Sequence, residues 1–186
     1  MKNSKTLKLV QTAIFLALLI VFQYISKPMG QYVTGSLVNF TLVGSVLAVG
    51  LAGGVTVALV SPFLAFFLGI GPAFIQIIPM IALGNLVLVM VYHFIFKGAK
   101  VEAKNADMAK WLVAIAVAAV AKFATLYLGL VKIVLPMLLK NGVLKAPQVA
   151  MMSGMFSFPQ LITATVGGII AFLIMPPVLR AIEKNK

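Results

Sequence analysis

Polar residues are sparse along this chain, and most gather in short clusters between long apolar runs. About 20 predominantly apolar residues cross a bilayer as a helix. By that rule the pattern gives six candidate spans, at 9–25, 37–53, 55–70, 73–96, 111–139 and 155–179. The second and third are parted only by GLAGG (50–54), which reads as a tight helical hairpin. The third and fourth meet at GIGP (69–72), a short turn whose proline suits the start of a helix. The fifth run is too long for one plain crossing, and its end, LPMLLKNG, is expected to bend at Pro136 and leave the membrane. The apolar run after Lys8 exceeds a signal-peptide core and no A-x-A-like cleavage site follows it, so it reads as a retained span. No low-complexity segment, linker or internal repeat interrupts the pattern. The expected fold is an all-α integral membrane protein, a compact six-transmembrane-helix bundle forming one membrane domain over residues 1–186.

Composition agrees with the pattern. Of 186 residues, 62% are hydrophobic and 10% charged, with a mean hydropathy of +1.14. A soluble domain of this size has no interior large enough for that apolar surface. The formal charge of +12 would point to nucleic acid in a soluble protein. Here the placement of the charges matters more, and no nucleic-acid partner is expected. Lys2, Lys5 and Lys8 precede the first span; Lys97, Lys100, Lys104 and Lys110 lie between the fourth and fifth; Arg180, Lys184 and Lys186 follow the sixth. With six spans these positive residues share one side, and the other side holds Lys27, Lys140 and Lys145. Positive residues mark the cytoplasmic side, so both termini are expected to be cytoplasmic. The three acids, Glu102, Asp107 and Glu183, fall on that side too. Anionic lipid headgroups of the bilayer are the expected partner of the basic face. The expected location is a cell membrane, as a multi-pass protein, with the bacterial plasma membrane the specific expectation.

The inventory excludes several chemistries. There is no cysteine, hence no disulfide and no thiolate. No carboxylate lies within a span, where ion-coupled carriers usually place one. A single histidine argues against a metalloprotease centre, and no phosphate-binding loop of the G-x-x-x-x-G-K-[ST] type occurs. The adjacent Gly167 and Gly168 carry no nucleotide signal. Ser61, Ser153 and Ser157 read as helix–helix hydrogen bonds or caps rather than nucleophiles. The chain is not expected to be an enzyme, and nothing in it implies a cofactor.

What remains is a set of polar residues inside the spans. AAVAKFATLYLGLVKIVL (118–135) carries two lysines, and a lysine at the bilayer centre costs roughly 2.5–3.5 kcal/mol on insertion scales. At 100° per residue Lys122, Thr125, Gly129 and Lys132 fall within about an 80° arc, one polar stripe. Lys132 lies late enough in the span to snorkel to the outer interface. Lys122 lies roughly 16–17 Å beyond Trp111, near mid-membrane. With no acid in the spans it must find carbonyls, water or an anionic ligand, or give up its proton; a water-accessible cavity is the simplest answer. Gln76 and Asn85 in the fourth span, Gln160, Thr163 and Thr165 in the sixth, and Asn39 at the start of the second are further candidates. For each, an interhelical hydrogen bond is the structural alternative. The first outer loop, SKPMGQYVTGS (26–36), offers Lys27, Gln31 and Tyr32 and is expected to be long enough to fold over a pocket mouth. His93, Tyr92 and Trp111 read as residues of the inner interface. Small residues recur four apart: Ala13 and Ala17, Gly44 and Ala48, Ser61 and Ala65, Gly167 and Ala171. Close packing between helices explains such pairs.

Six short spans, both ends inside, no ATPase motif and no coupling carboxylate form a specific combination. With Ala13 and Ala17 in AIFLALLIV, the glycines of GLAGG, and the segments SPFLAFFLG and IPMIALGN, the whole chain resembles the substrate-binding S components of energy-coupling factor (ECF) vitamin transporters. The resemblance implies high-affinity binding of a vitamin or related nutrient near the outer face. It also implies docking on a membrane coupling subunit (T component) driven by two cytoplasmic ATPase subunits, and toppling of the S component within the membrane. Ala13 and Ala17 would form the flat face that meets the coupling subunit. The substrate-binding candidates are Lys122, Thr125, Lys132, Gln76, Asn85, Gln160, Asn39 and Tyr32. Without an outer-half acid or an aromatic cluster a permanently cationic ligand is disfavoured, and lysines with amides suit a neutral or anionic one. Pantothenate, biotin-like acids, flavins, folates and cobalamin all stay open. Two other readings stand beside this one: a carrier or channel that moves small solutes without ATPase partners, and a non-transport membrane protein.

Overall fold

The computed structural model describes residues 4–97 and 108–184. Lys2, Lys100, Glu102, Lys104, Asp107 and Lys186, and the side chains of Glu183 and Lys184, lie outside the described part. The chain forms helices α1 (Ser4–Ser26), α2 (Gln31–Val49), α3 (Leu51–Phe67), α4 (Ile78–Phe96), α5 (Met108–Ala124), α6 (Leu135–Lys140), α7 (Ala146–Met155) and α8 (Phe158–Lys184). Short 3₁₀ turns at Lys27–Met29 and Ile75–Ile77 precede α2 and α4, and a π-helix, Thr125–Val134, joins α5 to α6 without a break. Five helical stretches are long and apolar enough to cross a membrane: Lys5–Met29, Gln31–Val49, Ile75–Phe96, Met108–Lys140 and Ala146–Ile182. The sixth expected span, α3, is a shorter apolar helix of 17 residues. The molecule is thus an all-α, multi-pass membrane protein.

Turns form where the backbone leaves no alternative. Gly30 and Gly50 sit at φ +85° and +94°, a region that a Cβ disfavours. They let α1 reverse into α2 and α2 into α3 within a few residues. The segment 26–36 is therefore not a long loop: Gln31 already begins α2. Of the GLAGG glycines only Gly50 turns the chain. Gly53 and Gly54 are buried in α3, where a Cβ would lie 2.7 Å from the Val49 and Val46 Cβ atoms respectively. Two proline expectations also shift. Pro79, not Pro72, stands in the first turn of α4. At Pro136 the helical stretch Met108–Lys140 continues, with the proline just past the junction of the π-helix and α6.

Helix α2 is the central element, packed against α8, α1, α3 and α4. Glycine makes the α2–α8 seam unusually close: a Cβ on Gly167 would stand 2.6 Å from Asn39 Cβ and 2.7 Å from the Ser36 carbonyl oxygen. On the other face of the seam, Gly35 abuts Thr163 in the same way, at 2.9 Å from its Cγ2. One apolar cluster, from Leu19 and Leu42 to Met175 and Leu179, fills the half of the bundle nearest the N-terminus of α1. Tyr92 and Trp111 belong to it rather than to an interfacial belt. Both are fully buried, with the Trp111 ring 4.8 Å from Phe96 and 5.6 Å from Phe172. His93 is half-buried beside Phe94. A second cluster, around Ile77, Ile78, Leu126 and Leu130, fills the opposite end between α4, the π-helix and α7.

Candidate functional site

Between the two apolar clusters lies a cavity of about 370 Å³. It is lined from α1, α2, α3, α4, α5, α8 and the connections 27–31 and 70–72, so it sits at the end of the bundle opposite the N-terminus of α1. Lys122 is 3% exposed and forms part of its floor. The Lys122 Nζ donates to Asn39 Oδ1 at 2.6 Å and to Asn85 Oδ1 at 2.7 Å. One side chain of α5 thereby ties α2 to α4. Asn39 Nδ2 in turn donates to Thr163 Oγ1 at 3.3 Å, and Gln160 Nε2 donates to the Met155 carbonyl at 3.0 Å, which brings α8 and α7 to the same wall. The close approach at Gly167 and Gly35 is what allows α8 to meet Asn39. A buried ammonium needs acceptors for its N–H bonds, and here two side-chain carbonyls supply them in place of a carboxylate.

Four of the residues singled out from the sequence line this cavity: Asn39, Asn85, Lys122 and Gln160. The other four do not. Thr125 donates to the carbonyl of Ala121 at 2.8 Å, within its own helix. Gln76 is exposed in the Ile75–Ile77 turn, and Tyr32 is 54% exposed on α2. Lys132 is exposed and rests its ammonium 5.2 Å from the centre of the Tyr127 ring. The π-helix explains why the expected stripe breaks. Bonding i to i+5 widens the turn to about 80° per residue, so Lys132 arrives roughly 140° from Lys122 rather than beside it. Gly129 lies within this wide segment, where a Cβ would collide with Met80.

The structure adds residues that the sequence left unremarked. Gln23 of α1 and Ser61 of α3 line the cavity, and Gln23 Oε1 and Ser61 Oγ are buried with no hydrogen-bond partner. A glutamine alone in the apolar stretch VFQYI was a visible signal for the first. Ser61, which the sequence suggests as a helix–helix bond or a cap, makes no hydrogen bond through its hydroxyl. At the mouth, Lys27 donates to the Gly69 carbonyl at 2.9 Å, while Thr34 donates to the Ser26 carbonyl at 2.9 Å. These two bonds hold the α1–α2 corner and latch it to the α3–α4 connection. The connection 26–31 is short, yet Lys27, Gly30 and Gln31 do border the opening.

The small-residue pairs divide into two kinds. Gly44, Ser61, Ala65 and Ala171 are buried, with Ala48 half-buried, so packing inside the molecule accounts for them. Ala13 and Ala17 are exposed on α1, whose inner side packs on α2 and α3. Among the described residues no group of three or more histidine or acidic side chains could hold a metal.

No curated protein and no solved structure matches the chain. A family does, over residues 7–179, and its description is "ECF transporter, substrate-specific component". Its members are subunits of transport complexes rather than catalysts. An all-helical membrane bundle with a polar-floored cavity and a match across nearly the whole chain leads to one conclusion: this protein belongs to the ECF transporter substrate-specific component family.

Proposed function

We propose that the chain is the high-affinity binding subunit of an ATP-driven importer, and that the 370 Å³ cavity holds a vitamin or related nutrient. The observation that carries this reading is the buried polar floor, Lys122 with Asn39 and Asn85, beneath a cavity with unpartnered Gln23 and Ser61 atoms in its wall. Tyr92 Oη and Trp111 Nε1 are likewise unpartnered, but within the packed apolar cluster; what sets Gln23 and Ser61 apart is that they border the same open cavity as the Lys122 floor. With α3 as the sixth crossing and the basic residues inside, the cavity opens to the exterior, where scarce nutrients are captured. The exposed Ala13 and Ala17 form a flat strip on which a coupling subunit can approach the α1 backbone closely. The ATP chemistry belongs to the partner ATPases.

Binding to the purified chain, and uptake into vesicles with and without the coupling subunit and ATPases, test this together. Ala13→Leu with Ala17→Leu is expected to abolish ATP-driven uptake while ligand binding stays within about twofold of the unmodified chain. Equal loss of both would refute the docking role. Uptake by the chain alone, with no ATPase present, would establish a self-sufficient carrier instead.

A further inference from the structure

The cavity floor has N–H donors to spare around a positive charge. An ammonium has three N–H bonds and no lone pair, so every group facing it must present an acceptor. Asn39 and Asn85 both turn their carbonyl oxygens onto Lys122 Nζ, which points both amide NH₂ groups elsewhere. Asn39 gives one N–H to Thr163. The Nδ2 of Asn85 and the third N–H of Lys122 donate to nothing among the described residues. Among the described residues no carboxylate lines the cavity. The unused hydrogens at the floor are therefore N–H donors around a positive charge, and the remaining lone pair of each amide oxygen lies beside the ammonium it already serves. Nearer the mouth the requirement reverses, because Gln23 Oε1 is a buried acceptor with no donor and Ser61 Oγ is unpartnered beside the same space, on a residue 1% exposed. Phe156 is the one aromatic ring in the lining, too little surface to sandwich a polycyclic ligand. The volume lies near the lower end of the roughly 300–1,000 Å³ typical of small-molecule sites.

We propose that the cavity selects a small, largely aliphatic monocarboxylate that carries a hydroxyl or amide N–H some atoms from its acid group. The carboxylate seats on Lys122 and the spare amide N–H groups of Asn39 and Asn85, where its acceptor lone pairs meet those donors. The hydroxyl or amide N–H donates to Gln23 Oε1. The anion neutralises a cation that the chain itself leaves without an acid. This assignment rests on the nutrient-binding reading above and narrows it to one ligand chemistry.

The test compares matched acids and neutral analogues on the purified full chain in detergent: pantothenate with its alcohol, biotin with its amide. Melting curves identify binders and calorimetry ranks them. In parallel, the chain is denatured and any released small molecule is identified by mass. The expected result is a released carboxylic acid, or one acid of the panel bound about tenfold or more tighter than its neutral partner, the difference between a charged and a neutral hydrogen bond. Lys122→Met is expected to cut that preference to within about threefold, whereas Lys132→Met, outside the cavity, leaves it intact. A released molecule with no acidic group, or neutral analogues that bind as tightly as the acids, overturns the carboxylate assignment and leaves nutrient binding standing. No released molecule together with no stabilisation by any panel member overturns both. The comparison on the unmodified chain decides the matter even if Lys122→Met fails to fold.

Discussion

Burying the Lys122 ammonium sacrifices several kcal/mol of hydration. Its two bonds to Asn39 and Asn85 return about 1.5–3 kcal/mol each. The terms nearly cancel, so stability gives little reason for a lysine at this position, and binding does. An order of effects follows. Lys122→Met removes the charge and its hydration cost together, and the freed amides of Asn39 and Asn85 can turn to each other. Its melting midpoint is expected to stay close to that of the unmodified chain although its preference for an acid over the neutral analogue is lost. Asn85→Leu leaves the buried charge with one acceptor fewer and is expected to lose about 1.5–3 kcal/mol of stability. The double variant recovers most of that loss, a coupling that a double-mutant cycle reads directly. A Lys122→Met midpoint far below that of Asn85→Leu would make the lysine a structural strut. That the lysine lies in the interior of an apolar run was legible in the sequence, eleven positions after Trp111. Its partners were not, because Asn39 and Asn85 lie 83 and 37 positions away along the chain.

At the scale of helices, two features place the site. The first is the α2–α8 seam, where glycine on each side lets the backbones approach until Asn39 reaches Thr163. Gly167→Leu drives a side chain into Asn39 and the Ser36 carbonyl. Overpacking of that kind costs typically about 1–3 kcal/mol. Because Asn39 must move, the ligand affinity of Gly167→Leu is expected to fall at least as far as its thermal stability; binding measured below the melting transition checks this. The second feature is the π-helix. Period counting at 100° per residue placed Lys122 and Lys132 on one face, a reading valid only while bonds run i to i+4. Ten residues of wider turn rotate Lys132 away. No residue type in TLYLGLVKIV announces that change, since it is the fit of Leu126 and Leu130 against Ile77 and Ile78 that accompanies it.

For the whole molecule the open quantity is how many times the chain crosses the bilayer. Helix α3 has 17 residues, about 25 Å at 1.5 Å per residue, near the lower limit for a crossing. The chain has no cysteine, so single cysteines report sidedness without a background. Ala52→Cys and Leu68→Cys stand at opposite ends of α3 and are both exposed. With a membrane-impermeant maleimide on intact cells, Leu68→Cys is expected to label and Ala52→Cys to label only after permeabilisation. Labelling of both from outside would mean that α3 does not cross, and the cytoplasmic placement of the termini would fall with it.

Local rules sufficed for much of this protein. Apolar run length set the helical membrane class and placed most helices to within several residues, because a bilayer demands about 20 apolar residues whatever their neighbours. Small residues four apart marked packing faces. Tertiary structure alone decided which polar residues meet. It joined Lys122 to two amides, left Gln23 and Ser61 unpaired beside a cavity, and buried Tyr92 and Trp111 that composition would place at an interface. It also left Ala13 and Ala17 exposed while burying Gly44, Ser61, Ala65 and Ala171. The physical reason is common to all of these. Helix formation in a membrane is settled by neighbours in sequence, whereas hydrogen bonds and cavities are settled by residues that only packing brings together.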